Sequence, residues 1–355
     1  MVAIDFFCGA GGLTCGLKNA GIKVVLGIDV REEFRKTYES NNKPAKFLCA
    51  DVRQLDPCEV LKLIPETPKN ELLLAGCAPC QPFTKQRREN HRVEEHTLLT
   101  QFGRFVAEIL PGQIVIENVP GIRKVEGFST YRRFQKLLAD LGYCVCEGII
   151  DAKDYGVPQT RRRFVMIGAR DFEPTLPPPT HGPGRQPYVT VRKAIAAYPV
   201  IKPGEQHPSV ANHRAAALSP LNLHRLRHTP KNGGGRTDWP AELYLDCHKE
   251  EYSGHTDVYG RMWWDRPAPA LTCRFPNLST GRYGHPTQNR AISLREAARL
   301  QSFDDSFVFF GSSQADLATQ IGNAVPVRIG EAIGRHLFVL RQTSSANKTT
   351  TAPCR

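Results

Sequence analysis

The chain has no apolar run long enough to cross a bilayer, which excludes a membrane-spanning helix as its organising element. It also lacks a leader: Met1 passes straight into the strand-like Val2-Ala3-Ile4 with no basic region or cleavage site, so a cytoplasmic protein is expected. Its 11 cysteines are odd in number and irregular in spacing, which argues for reduced thiols over a disulfide framework. None of them stands with histidines at zinc-ligand spacing, so no metal site is expected. Internal repeats and low-complexity blocks are missing as well. So is the dinucleotide fingerprint, because Gly12 directly follows Gly11 where G-x-G-x-x-G would place two residues between its last glycines.

What is present is a chain of 355 residues, long enough for a full α/β domain and a second module of about a hundred residues. A formal charge of +12 favours a polyanionic partner, either nucleic acid or an anionic membrane surface. Apolar runs alternate with helical patterns. Val2 to Phe7, Val24 to Ile28, Phe47 to Ala50, Leu72 to Ala75, Ile114 to Ile116, Tyr143 to Ile150 and Phe164 to Ile167 read as strands. Thr97 to Leu110 is amphipathic, with Leu98, Phe102, Phe105, Val106 and Ile109 on one face, and Phe128 to Leu141 is again helical. This rhythm predicts an α/β, doubly wound (Rossmann-like) sheet.

After Arg170 proline, glycine and histidine become frequent and helical periodicity is weak until Ser293. Ser293 and Glu296 then stand in capping-box spacing, and a further helix is expected from Val327 to Leu340. The expected division is 1–170 for a catalytic and cofactor-binding domain, 171–284 for a smaller loop-rich domain, 285–342 for helices returning to the first, and 343–355 for a frayed tail.

Chemistry-bearing residues gather where strands end. Cys80 follows the leucine-rich strand and lies between Pro79 and Pro82, at the edge where open α/β sheets bind ligands. It is a candidate nucleophile; a buried hydrophobe or half of a redox pair with Cys77 are the other readings. Gly9, Gly11 and Gly12 form a turn after the first strand that lets backbone approach a ligand. Asp29 is placed to accept from ribose hydroxyls and Asp51 from an adenine amine, although aspartates at such positions also cap helices. Together these features favour an adenosine-containing cofactor. Glu117 ends another strand as a cap, an arginine partner or a general acid. Alternation along Arg161-Arg162-Arg163 sends Arg161 and Arg163 to one side; if that side is the pocket, two guanidiniums can orient Glu117 and a substrate carbonyl or phosphate, and otherwise they form a basic solvated strand end.

Taken in order, Phe7-x-Gly9-x-Gly11-Gly12, Pro79-Cys80-Gln81, Glu117-Asn118-Val119, Gln159-x-Arg161-x-Arg163, Arg266-Pro267-x-Pro269-x-Leu271-Thr272, Arg295-Glu296-Ala297-Ala298-Arg299-Leu300-Gln301 and Gly322-Asn323-Ala324-Val325-Pro326 resemble the motifs of bacterial-type DNA (cytosine-5)-methyltransferases. The resemblance runs nearly end to end. It departs at Thr84, where serine is common, and at Asp304-Asp305, where a proline is usual after Phe303.

The resemblance implies transfer of a methyl group from S-adenosyl-L-methionine to carbon 5 of a cytosine flipped out of double-stranded DNA, with Cys80 as nucleophile and Glu117, Arg161 and Arg163 as its catalytic partners. It implies a cofactor site of Phe7, Gly9, Gly11, Gly12, Asp29, Asp51, Pro79, Leu98, Asn323 and Val325. It makes 171–284 a target-recognition domain, and Gln81, Lys85, Arg87 and Arg88 part of a loop that closes on DNA. Three consecutive glycines, Gly233 to Gly235, read as a loop whose backbone can approach something closely; beside them Arg236 is the candidate base reader, with a solvated linker of incidental charges as the other reading. A monomer working at the nucleoid is expected, with a restriction endonuclease as a functional partner. Two rivals stand beside this reading. A transfer-RNA cytosine-5 methyltransferase shares the core, but the long Asp171 to Gly284 segment argues against it. A non-catalytic cytosine-site binding protein is opposed by the intact Cys80, Glu117, Arg161 and Arg163.

Overall fold

The structure is a computed structural model that describes residues 1–78, 92–123, 128–245 and 257–350. Pro79, Cys80, Gln81, Lys85, Arg87 and Arg88 lie outside the described residues. The strands are β1 (Val2–Phe6), β2 (Lys23–Asp29), β3 (Lys46–Cys49), β4 (Leu72–Gly76), β5 (Gln113–Asn118), β6 (Cys144–Asp151) and β7 (Arg162–Ala169). The helices are α1 (Gly12–Asn19), α2 (Arg35–Asn41), α3 (Pro57–Lys62), α4 (Arg92–Ile109), α5 (Phe128–Asp140), α6 (Val191–Ile195), α7 (Pro220–His228), α8 (Leu294–Leu300), α9 (Gln314–Asn323) and α10 (Val327–Thr350).

The strands form one seven-stranded sheet in the order β3-β2-β1-β4-β5-β7-β6. Pairing is parallel from β3 to β5, whereas β7 runs antiparallel to both β5 and β6. Strands covered on both faces need continuous apolar runs, and every residue of β4 and β5 is buried. On α4 the predicted apolar face is the buried one. Phe102 and Phe105 meet Phe6 of β1 with ring centroids 5.4 and 4.8 Å away. A Cβ at Gly76 would come within 2.9 Å of the Phe102 ring, so glycine there lets β4 and α4 close on each other.

The chain separates into two compact units, one of Met1–Asp151, Arg162–Pro179 and Val325–Arg355, the other of Ala152–Arg161 and Thr180–Ala324. This division differs from the sequence boundaries: α8 and α9 fall in the second unit with the loop-rich segment, and only α10 rejoins the first. In the first unit α10 lies against α1 at Gly16 and Gly330, where a Cβ on Gly16 would overlap the backbone of Val327 and Glu331. Part of the expected tail is helical, since α10 continues through 343–350 with no glycine or proline to stop it, while 351–355 lie outside the described residues. Thr343 Oγ1 donates to the Val339 carbonyl at 3.1 Å and Ser344 Oγ to that of Asp171, also at 3.1 Å. α4 begins at Arg92, five residues before the Thr97 start expected from the sequence.

The second unit has little regular structure, so its backbone carbonyls need other donors. Buried arginines supply them. Arg261 donates to the carbonyls of Thr229, His285, Gln288 and Leu226 at 3.0, 2.9, 2.6 and 2.8 Å. Arg295 serves Ala211, Asp304 and Phe307 in the same way at 2.8, 3.2 and 2.8 Å. At the start of α8 the predicted capping box is formed, Ser293 Oγ accepting from the Glu296 amide at 3.1 Å and Glu296 from the Ser293 amide at 2.7 Å. Arg290 holds the same carboxylate through both guanidinium nitrogens at 2.6 and 2.7 Å.

Burial alone would raise the Glu296 carboxyl, but the Arg290 pair outweighs it and holds the group at about 2. A depressed carboxylate contributes stability above its unfolded value near 4.5, and that contribution is lost as pH falls toward 2. Removing the cation strands a buried charge. Arg290→Ala should cost about 3–5 kcal/mol in urea unfolding at pH 7. The double variant Arg290→Met, Glu296→Gln should regain part of this and lose less stability than the parent between pH 4.5 and 2. A double variant with the parent's acid profile would take the pair out of the account.

Candidate active site

The chain leaves β1 for α1 and runs outward to β3, then returns to begin β4 on the other side of β1. In open sheets this reversal marks the crevice beyond the carboxyl ends of the strands. The turn after β1 is conformationally demanding, with Phe7, Gly9 and Gly11 at φ of 58°, 53° and 91°. Asp29, at the end of β2, pins it: one carboxylate oxygen accepts from the Gly9 amide at 2.9 Å and the other from the Arg31 amide at 3.0 Å. Burial pushes this carboxyl above the usual range, against the pull of those two amides. Among the described residues, a Cβ on Gly9 would meet nothing within 4 Å, so none of them closes that side of the turn. A Cβ on Gly11 would strike Tyr38, 2.9 Å away, so the other side is closed.

Under the turn, Asp5 is fully buried and accepts from Thr14 Oγ1 at 2.6 Å, which in turn meets the Tyr38 hydroxyl at 2.9 Å. Burial pushes Asp5 up to about 7, against the bond from Thr14. Asp5 opens the glycine-rich motif in the sequence, which gives it no separate role. Asp51 lies just past β3, where Arg53 clasps its carboxylate at 2.6 Å. Leu98 packs on the sheet core from α4. Asn323 ends α9 in the second unit and is exposed, whereas Val325 opens the last segment of the first unit and is buried.

On the neighbouring strands, Glu117 of β5 pairs in register with Val165 of β7, and Arg163 is the same-face diagonal neighbour. The two side chains meet at 3.0 Å with 16 % and 9 % of their surfaces exposed for Arg163 and Glu117. This meeting depends on the reversed direction of β7, which brings its first residues to the edge where β5 ends. Asn118 fixes the next piece, donating to the Ala78 carbonyl at 3.2 Å, two residues before Cys80. Cys77 is the other thiol of the C-x-x-C. Burial first and the Glu117 charge second push it well above the ordinary thiol range, so it is held neutral.

Two expected roles need correction. Arg161 precedes β7, so strand alternation does not reach it. Its guanidinium is buried in the second unit and donates to the carbonyls of Leu271 at 2.7 Å and Gly322 at 3.1 Å. Gln159 donates to the Leu300 carbonyl at 3.2 Å and accepts from the Leu271 amide at 2.9 Å, and Gln301 donates to the Ile321 carbonyl at 2.9 Å. Four of the sequence motifs thus meet in one polar network, a use that their spacing did not announce. Arg236 is likewise buried, at 6 % exposure, and the glycine turn before it follows helix α7, which is capped by Ser219.

The model of the family described as C-5 cytosine-specific DNA methylase matches residues 1–339. Among curated relatives, the Type II methylase M.HgiDII of Herpetosiphon aurantiacus is 40% identical over 339 residues, 94% of either chain. The Type II methyltransferase M1.HphI of Haemophilus parahaemolyticus is 33% identical, covering 93% of this chain and 84% of its own. Among solved structures, a candidate DNA modification methyltransferase encoded within an Escherichia coli prophage aligns at a TM-score of 0.75 and 23% identity, over 96% of this chain and 99% of its own, and so shares the fold. The motif order, the sheet edge and the match along nearly the whole length agree, and the chain belongs to the C-5 cytosine-specific DNA methylase family.

Proposed function

We propose that the chain methylates carbon 5 of a cytosine extruded from double-stranded DNA, with Cys80 as the nucleophile, as a sequence-specific modification enzyme acting beside a restriction endonuclease. The observation that carries this reading is the Arg163–Glu117 pair at the sheet edge, beside the Asn118 anchor of the segment that bears Cys80. Residues 171–284 serve as the target-recognition region.

Cytosine carbon 5 is a poor nucleophile until a thiolate adds at carbon 6. Cys80 makes that bond, and its electron pair moves through the ring as Glu117 donates a hydrogen bond to ring nitrogen 3. Arg163 fixes the Glu117 carboxyl and faces the ring carbonyl. S-adenosyl-L-methionine, when bound, supplies the electrophilic methyl group. Loss of the carbon-5 proton to a base then restores the ring and releases the Cys80 thiolate. The Gly9 side of the turn, open among the described residues, and the partly used acceptors of Asp29 suit a ribose-bearing ligand, with Phe7, Gly11, Gly12, Asp51, Pro79, Leu98 and Val325 as further contacts. Gln81, Lys85, Arg87 and Arg88 contact the DNA.

Duplex DNA carrying 5-fluorocytosine at the target should trap the chain in a denaturation-resistant complex, because fluorine does not leave as a proton does. Cys80→Ala should abolish the complex. An adduct that persists in this variant, or maps to Cys77, removes the nucleophile assignment.

Asp29→Ala should weaken S-adenosyl-L-methionine binding by about 1.5–3 kcal/mol, since a buried carboxylate acceptor is lost. Glu117→Gln should leave that affinity near the parent's while slowing methyl transfer about a hundredfold or more. Calorimetry and single-turnover rates with the opposite pattern would reverse the two roles.

The two arginines should separate as well. Arg161→Lys loses fork-shaped donors to buried carbonyls and should cost about 1.5–3 kcal/mol of stability. Arg163→Lys should mainly lower kcat, with Tm close to the parent's. Equal Tm losses in both variants would contradict this division.

A further inference from the structure

With Arg236 buried, the base-reading side chain must be sought on the surface around the triple-glycine turn. Asn232 occupies the left-handed region at φ 57° and is held on both sides, its amide donating to the Pro286 carbonyl at 2.8 Å and its Oδ1 accepting from the Trp264 amide at 2.7 Å. A residue kept in such a conformation needs surroundings that over-determine it. Arg282 supplies more of them, donating to the carbonyls of Gly233, Gly234 and Arg261 at 2.8, 3.1 and 3.0 Å. A Cβ on Gly233 would overlap the Trp263 indole, so this backbone closes on its own protein and leaves no room beside it for a base.

Two cations remain outside this scaffold. Lys231 is exposed at the pinned turn, and Arg266 is exposed with its guanidinium carbon 4.7 Å from the centre of the Trp263 ring. Among the described residues, neither side chain has a hydrogen-bond or ion-pair partner. Arg282 approaches the same indole at 4.2 Å, but its charge is met by Asp257 at 3.1 Å. Of the two guanidiniums over the indole, that of Arg266 thus meets no carboxylate among the described residues, which suits a partner that offers acceptors on a polyanion. Its place over the indole also restricts the Arg266 side chain in advance, so less side-chain entropy is lost when it engages an acceptor pair.

We propose that Arg266 reads a guanine edge in the major groove and that Lys231 contacts a phosphate; this rests on the reading of 171–284 as the DNA-recognition region. Guanine N7 and O6 match the guanidinium fork, whereas an ammonium is a point charge suited to phosphate. Arg282 and Asn232 are positioning residues for both.

The experiment is a methylation profile over a randomised duplex library for the parent, Arg266→Ala, Arg266→Lys and Lys231→Ala, with thermal melting and S-adenosyl-L-methionine binding to confirm folding. Arg266→Ala should lose roughly 10- to 100-fold discrimination at one base pair. Arg266→Lys should not restore it. Lys231→Ala should weaken all sequences alike and lower the slope of log affinity against log salt by about 1. Should Arg266→Ala fail to fold, the Arg266→Lys profile decides. A profile identical to the parent's in either Arg266 variant, or a base-specific change in Lys231→Ala, overturns the proposal. A parent that yields no 5-methylcytosine at any site overturns the underlying reading as well, so the two failures are told apart.

Discussion

A backbone carbonyl removed from water needs a donor, and where the chain forms neither helix nor sheet that donor must be a side chain. This constraint organises the second unit. A guanidinium is well suited to it, because five N–H groups in one plane can serve several carbonyls arriving from different segments. Arg261 alone gathers Thr229, Leu226, His285 and Gln288. Burial lowers its pKa to about 10, so it keeps its charge at neutral pH despite the cost of desolvation. Leaving such carbonyls unmet would cost roughly 1–3 kcal/mol each. A loop-rich region of this kind is therefore held by a few polar hubs, and its tolerance to substitution is concentrated away from them.

The first unit answers the same constraint with a sheet, and the sheet's topology makes the site. Parallel strands deliver the ends of β1, β2 and β4 to one edge, and the single reversed strand, β7, adds its beginning to the same edge. Asp29 reaches the glycine turn only because β1 and β2 are neighbours in register. Glu117 meets Arg163 only because β5 and β7 run in opposite directions. Strand order thus positions these groups more firmly than any loop would, which suits a reaction that depends on aligned hydrogen bonds.

Much of the first unit was legible in the sequence because parallel strands announce themselves as unbroken apolar runs, as Leu72 to Ala75 and Ile114 to Ile116 do. The amphipathic face of α4 was equally plain, and so was the Ser293 and Glu296 cap, whose partners are local. Arg161 was misread for the opposite reason. Its acceptors, Leu271 and Gly322, lie far along the chain, and alternation describes a side chain only inside a strand. At Gly233 and Gly234 the backbone does come close to its surroundings, but a sequence does not say to what; here Trp263 and Pro230 are the neighbours. α7 was missed because Leu221, Leu223 and Leu226 make too short an apolar pattern to stand out from its polar surroundings.

The same distinction changes how the formal charge of +12 is to be understood. Counting Lys and Arg treats each as a surface cation available to a polyanion. Yet Arg161, Arg261, Arg290 and Arg295 are almost wholly buried, and their guanidiniums are taken up by carbonyls or by Glu296. Their charge contributes to the long-range field but makes no direct contact with a phosphate or a base. Exposed cations without an ion-pair partner among the described residues, such as Arg266 and Lys231, keep their full capacity for such contacts. Arginine thus does two separate jobs in this chain, as an internal strut and as a candidate DNA contact. Only burial tells them apart, since the residue type and even the local motif are the same in both.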